Sequence, residues 1–147
     1  MIKKICLALI LFAFSFGIYA CSQPVNYSLN LKADKEEACA GETVQFKLLV
    51  TVQDGAYGYT IRDLYGEHFD HIEVSSVKQY SSYDPASNSN PLVTYVNNTH
   101  YVVKNDVSNR KLTIKFASSS DGENAVGSLE NVPSGNVIEV IYTAKVR

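Results

Sequence analysis

TVQFKLLVTV, residues 43–52, sets Val44, Phe46, Leu48, Val50 and Val52 at every second position, with Thr43, Gln45, Lys47, Leu49 and Thr51 between them. A period of two puts alternate side chains on opposite faces of an extended chain, so the stretch predicts a half-buried β-strand. Upstream, Val25, Tyr27, Leu29, Leu31 and Ala33 alternate with Asn26, Ser28, Asn30, Lys32 and Asp34, a first strand separated from the second by the polar DKEEACAGE (34–42). Asp54-Gly55 reads as a turn after the second strand. Further strand-like runs cover 57–64, 71–80, 93–96, 100–104 and 110–116. The last covers 137–146, with Ile138, Val140, Tyr142, Ala144 and Val146 on one face. No window carries a convincing helical period.

Seven or eight short strands with a turn signal every ten or so residues predict an all-β domain, an antiparallel β-sandwich of Greek-key or immunoglobulin-like type, with a closed barrel as the alternative. Composition agrees: there is no Trp, the one Met is the initiator, and ten Tyr join Val, Leu and Ile in a strand vocabulary. SSYDPASNSNP (81–91) and SSSDGENAVG (118–127) read as exposed loops.

The N-terminus sets the compartment. Lys3 and Lys4 precede the uncharged run Ile5 to Ile18, too short to span a bilayer comfortably, which predicts a secretory signal peptide over residues 1–20. Ile18-Tyr19-Ala20-Cys21 fits a lipoprotein-type cleavage pattern, although Tyr19 is bulkier than that pattern usually has. Ordinary signal peptidase is the other reading, and it leaves Cys21 a thiol able to seek Cys39. A nine-residue strand between the two cysteines spans about 30 Å, more than a disulfide bridges, which favours lipidation of Cys21. The expected organisation is a signal peptide (1–20), a short tether (21–24) and one sandwich domain (25–147), anchored to a bacterial membrane on its extracytoplasmic side by the lipid. Of 13 basic residues, Lys3 and Lys4 lie in the leader, leaving 11 against 15 acidic ones. They are scattered, so no nucleic-acid partner is expected.

The order of motifs GETVQFKLLVTVQDGAYGYTIRD (41–63), RKLTIKFA (110–117) and SGNVIEVIYTAKVR (134–147) resembles the D2-type isopeptide-forming domain of pilins and surface adhesins, over roughly Leu29 to the C-terminus. The resemblance implies an immunoglobulin-like sandwich used as a structural or adhesive module outside the cell. In that family a first-strand Lys attacks an Asn amide at the end of the last strand, assisted by a buried carboxyl. The matching positions are Lys32 and Asp63, but the Asn is replaced by Arg147. A guanidinium has no acyl carbon, so the bond cannot form there, and Lys32 lies on the polar side of its strand. Lys32 and Asp63 are thus degenerate candidates, Asp63 reading as a turn or strand-end carboxylate. Asn131 and Asn136 lie at the wrong end of the last strand.

Other chemistry is thin. Glu67, His68, Asp70 and His71 crowd four metal-competent side chains into EHFDH, but on an extended strand His68 and His71 face opposite ways. DGEN (121–124) lacks the spaced carboxylates of a calcium loop. No metal, cofactor or catalytic residue is expected, and no Ser or Cys sits in a nucleophile setting. Tyr65 and Tyr83, beside loops, are candidates for a recognition surface. NYS (26–28) and NNT (97–99) match the glycosylation acceptor pattern, which carries little meaning behind a bacterial leader. Two functions are expected: a non-catalytic surface lipoprotein of structural or adhesive role binding a host or cell-surface protein or glycan, or an envelope-accessory, ligand-binding lipoprotein.

Overall fold

The computed structural model describes residues 6–8, 15–19, 27–53, 60–84, 90–116 and 132–147. They form strands β1 (Cys6–Ala8), β2 (Ser15–Tyr19), β3 (Tyr27–Ala33), β4 (Glu37–Cys39), β5 (Thr43–Val52), β6 (Thr60–Leu64), β7 (Phe69–Tyr80), β8 (Val93–Tyr95), β9 (Val102–Asp106), β10 (Lys111–Lys115) and β11 (Val137–Val146). One sheet runs β3-β5-β11-β7-β8 and the other β2-β6-β10-β9, with a separate β1-β4 pair. Every strand pairing is antiparallel. The fold is an all-β antiparallel sandwich.

The period-two reading explains the core directly. Val44, Phe46, Leu48, Val50 and Val52 of β5 and Ile138, Val140, Tyr142, Ala144 and Val146 of β11 are all buried, and β3 alternates half-buried with exposed positions. The Phe46 ring stacks on Tyr142 with centroids 5.3 Å apart and meets the edge of Phe69 at 5.6 Å. Side chains of this size stabilise by about 1.5–3 kcal/mol each when removed from water. The last strand, β11, lies at the centre of the five-stranded sheet, hydrogen-bonded to β5 on one side and β7 on the other.

β7 is longer than its partner because it carries two extra residues. The register with β11 shifts between Ile141 and Tyr142 and again between Thr143 and Lys145. At the first shift Ser75 is the additional residue, and its hydroxyl donates to the Ile141 carbonyl at 3.0 Å, satisfying a group the ladder leaves open. At the second, His71 takes a left-handed backbone, φ 47°. These insertions re-phase the strand so that Phe69, Ile72 and Val77 all reach the interior.

Several boundaries differ from expectation. The polar stretch 34–42 contains a strand, β4, because Ala38 is 2 % exposed and anchors it. Gly41, at φ 88°, makes the turn that follows, where the Glu42 N–H donates to the Cys39 carbonyl at 3.0 Å. The strand expected at 100–104 starts two residues later. Thr99 and His100 first turn back, both donating N–H bonds to the Val96 carbonyl. Strand β7 begins at Phe69, not His71. Residues 25, 26 and 57–59, the Asp54-Gly55 turn and the 118–127 loop lie outside the described residues.

Candidate functional site

Asp63 is the most unusual side chain in the interior. Its neighbours in β6, exposed Arg62 and buried Ile61, show that position 63 belongs to the inward face. The carboxyl is 2 % exposed, so it is a buried core residue and not the turn or strand-end carboxylate expected. From the opposite sheet, the Tyr142 hydroxyl donates to Oδ2 at 2.8 Å. Oδ1 has no hydrogen-bond partner among the described residues. Burial raises the Asp63 pKa from 3.8 to about 7, while the Tyr142 bond pulls it down. Burial, then the Asp63 charge, pushes the Tyr142 phenol well above its ordinary range. Near neutral pH this buried carboxyl can hold a proton.

Among the described residues, the groups that cross-linking would require do not join it. Lys32 is exposed on β3, opposite Lys47 of β5. Arg147 follows β11, its N–H donating to the His68 carbonyl at 2.9 Å and its Nε to Asp70 Oδ2 at 3.1 Å. Asn136 is buried at the far end of β11, where its carbonyl accepts from the Val52 N–H, and Asn131 lies outside the described residues. The buried polar residues are Asp63, Gln79, Asn136 and Glu139, with no lysine among those described. Asp63 is buried, but among the described residues neither a lysine amine nor an Asn amide is hydrogen-bonded to it.

A second polar cluster, absent from the sequence reading, sits on the outer face of the five-stranded sheet. Glu139 lies at an outward position of β11 yet is 4 % exposed, because Tyr80 and Tyr83 cover it. Tyr80 Oη donates to Oε1 at 3.3 Å, and Tyr83 Oη donates to Oε2 at 3.1 Å. Lys47 Nζ stands 3.7 Å from Oε2 and donates to Tyr83 Oη at 3.1 Å. The Tyr83 hydrogen bond, opposed by partial burial and aided by Glu139, raises the Lys47 pKa. The arrangement fastens the chain after β7 across the sheet. The only sequence signal is a lone acidic residue inside VIEVIY.

The remaining candidates are dispersed. Tyr65, expected at a recognition surface, is 4 % exposed and donates to Asn105 Oδ1 at 2.8 Å, since it follows β6 at the inward period of Ile61 and Asp63. Tyr83 is half-buried in the Glu139 cluster. His68 and His71 are exposed and Asp70 engages Arg147. No group of three metal-ligating side chains gathers among the described residues. DGEN and Cys21 lie outside them. Cys39 stands opposite Cys6 in the β1-β4 register, and its N–H donates to Glu42 Oε2 at 2.7 Å. Among the described residues, Leu92, Val93 and Val96, at the edge strand β8, are the large apolar side chains most open to contact, together with Val107. No protein-family model, curated protein or solved structure matches the chain.

Proposed function

We propose that this protein is an exported, lipid-anchored β-sandwich of a bacterial surface with a structural or adhesive role and no catalysis. The observation that carries the reading is the N-terminal pattern: Lys3-Lys4, an uncharged apolar run, and Ile18-Tyr19-Ala20-Cys21 placed six residues ahead of β3. Two or more acyl chains on Cys21, at about 0.8 kcal/mol per buried methylene, would hold so small a domain on a membrane stably. The motif order of pilin and adhesin modules, with an immunoglobulin-like arrangement of the sandwich, supports the structural role, as does an acid buried at the position where that family keeps one. The missing acyl carbon at Arg147 makes it a non-cross-linking version. The exposed Leu92, Val93 and Val96 offer a surface for a cell-surface or host protein or glycan.

Replacing Cys21 with Ala tests the anchor. The wild-type protein should sediment with membranes and resist a high-salt wash, and the variant should be released. A wild-type protein that is already soluble after export would remove the anchor and favour a free envelope-accessory protein.

A further inference from the structure

β6 is paired on both sides. On one side stands β10, and on the other β2, in continuous antiparallel register from Ser15 opposite Leu64 to Tyr19 opposite Thr60. Residues 15–19 fall inside the segment that export would remove. The mature chain would then present β6 as an edge strand, with a row of unpaired N–H and C=O groups.

The two sheets face each other. β6 opposes β11 through Asp63 and Tyr142, and Phe116, the residue after β10, meets Tyr95 of β8 with ring centroids 5.7 Å apart. The inward side chains of β5 are among the most deeply buried in the protein: Val44, Phe46 and Val50 have no exposed surface, and Leu48 and Val52 have 1 %. Without β2 a five-stranded sheet faces a three-stranded one.

We propose that, in the mature protein, the outer edge of β6 accepts an extended segment of another polypeptide as an added antiparallel strand. This rests on the export reading. The register defines the chemistry of the incoming segment. Positions 16 and 18 oppose buried Asp63 and Ile61, and position 17 opposes exposed Arg62. At those places this chain has Phe16, Gly17 and Ile18 within an uncharged run. The partner strand is therefore uncharged, with large apolar residues two apart and a small residue between them. Main-chain bonds along β6 supply affinity, and the alternate apolar positions supply specificity.

The test uses the mature chain, residues 21–147, and a fluorescently labelled synthetic peptide with the sequence of residues 13–20. Saturable binding is expected, with slowed hydrogen exchange at the β6 amides that face away from β10, those of residues 60, 62 and 64. Replacing Gly17 of the peptide with Pro, which removes an N–H, or Phe16 with Asp should weaken binding about tenfold or more. If residues 21–147 fold only when the peptide is added, the proposal stands equally. Several results would overturn it: equal binding of a scrambled peptide, no binding, a chain that stays unfolded with peptide, or amides 60, 62 and 64, which face away from β10, already protected in the peptide-free monomer or in a dimer. Intact mass of the exported protein reads the underlying assumption separately. Retention of residues 1–20 would defeat the export reading, and the acceptor with it, whereas their removal with no peptide binding would defeat the acceptor alone.

Discussion

Tyr142 Oη and Asp63 Oδ2 meet at 2.8 Å across the interior, the one from the central strand of the five-stranded sheet and the other from β6 of the facing sheet. The bond ties the two layers through a carboxyl whose other oxygen has no partner among the described residues. Its protonation is therefore linked to folding.

Stability should fall as pH rises from about 4 to about 7. The folded chain holds a proton on Asp63 up to about pH 7, whereas the unfolded chain releases it near 3.8. The stabilisation is fully present below the unfolded value and is lost as pH passes the folded one, amounting to roughly 4 kcal/mol. Asp63→Asn removes the titration. Urea denaturation at several pH values should show a much flatter profile for the variant and greater stability than wild type at pH 8. Parallel profiles would show that Asp63 does not titrate within the fold.

Tyr142→Phe should cost about 1–3 kcal/mol, because it leaves the buried Asp63 with neither oxygen bonded to a described group. The same change should raise the Asp63 pKa further, since the lost hydrogen bond is what lowers it. Carboxyl titration followed by NMR reads the shift directly; a lower value in the variant would contradict the geometry.

Glu139→Ala removes the acceptor for Tyr80 and Tyr83 and a partner of Lys47. The chain after β7 should loosen while the sandwich stays folded. Limited proteolysis should accelerate near residues 81–84, with a stability loss of about 1–3 kcal/mol. An unchanged digestion pattern would mean that the cluster fastens nothing.

Deleting residues 137–147 should abolish cooperative folding, because β11 is the strand to which β5 and β7 both bond. A truncated chain that still gives a sharp thermal transition would contradict this.

Much of this architecture was legible because burial follows a period of two wherever one face of a strand is wet. The unbroken alternation of Val44 to Val52 and of Ile138 to Val146 identified both strands and their inward faces. Where burial is decided by something distant in the chain, the sequence is silent. Glu139 is covered by Tyr80 and Tyr83, 59 and 56 residues away, and nothing near Glu139 announces them. Asp63 follows Ile61 at the inward period, but a carboxyl there reads as an exposed strand end until Tyr142 is placed opposite it. Strand β4 was hidden by the charges around Ala38. Strand β2 lies in an apolar run without alternation, the same feature that marks a leader.

The most direct measurement is the intact mass of the native protein recovered from membranes. The account predicts a chain beginning at Cys21, heavier than unmodified residues 21–147 by its acyl groups, with no loss of the about 17 Da that a Lys–Asn bond would release as ammonia. A chain retaining residues 1–20, an unmodified Cys21, or that loss of ammonia would contradict it.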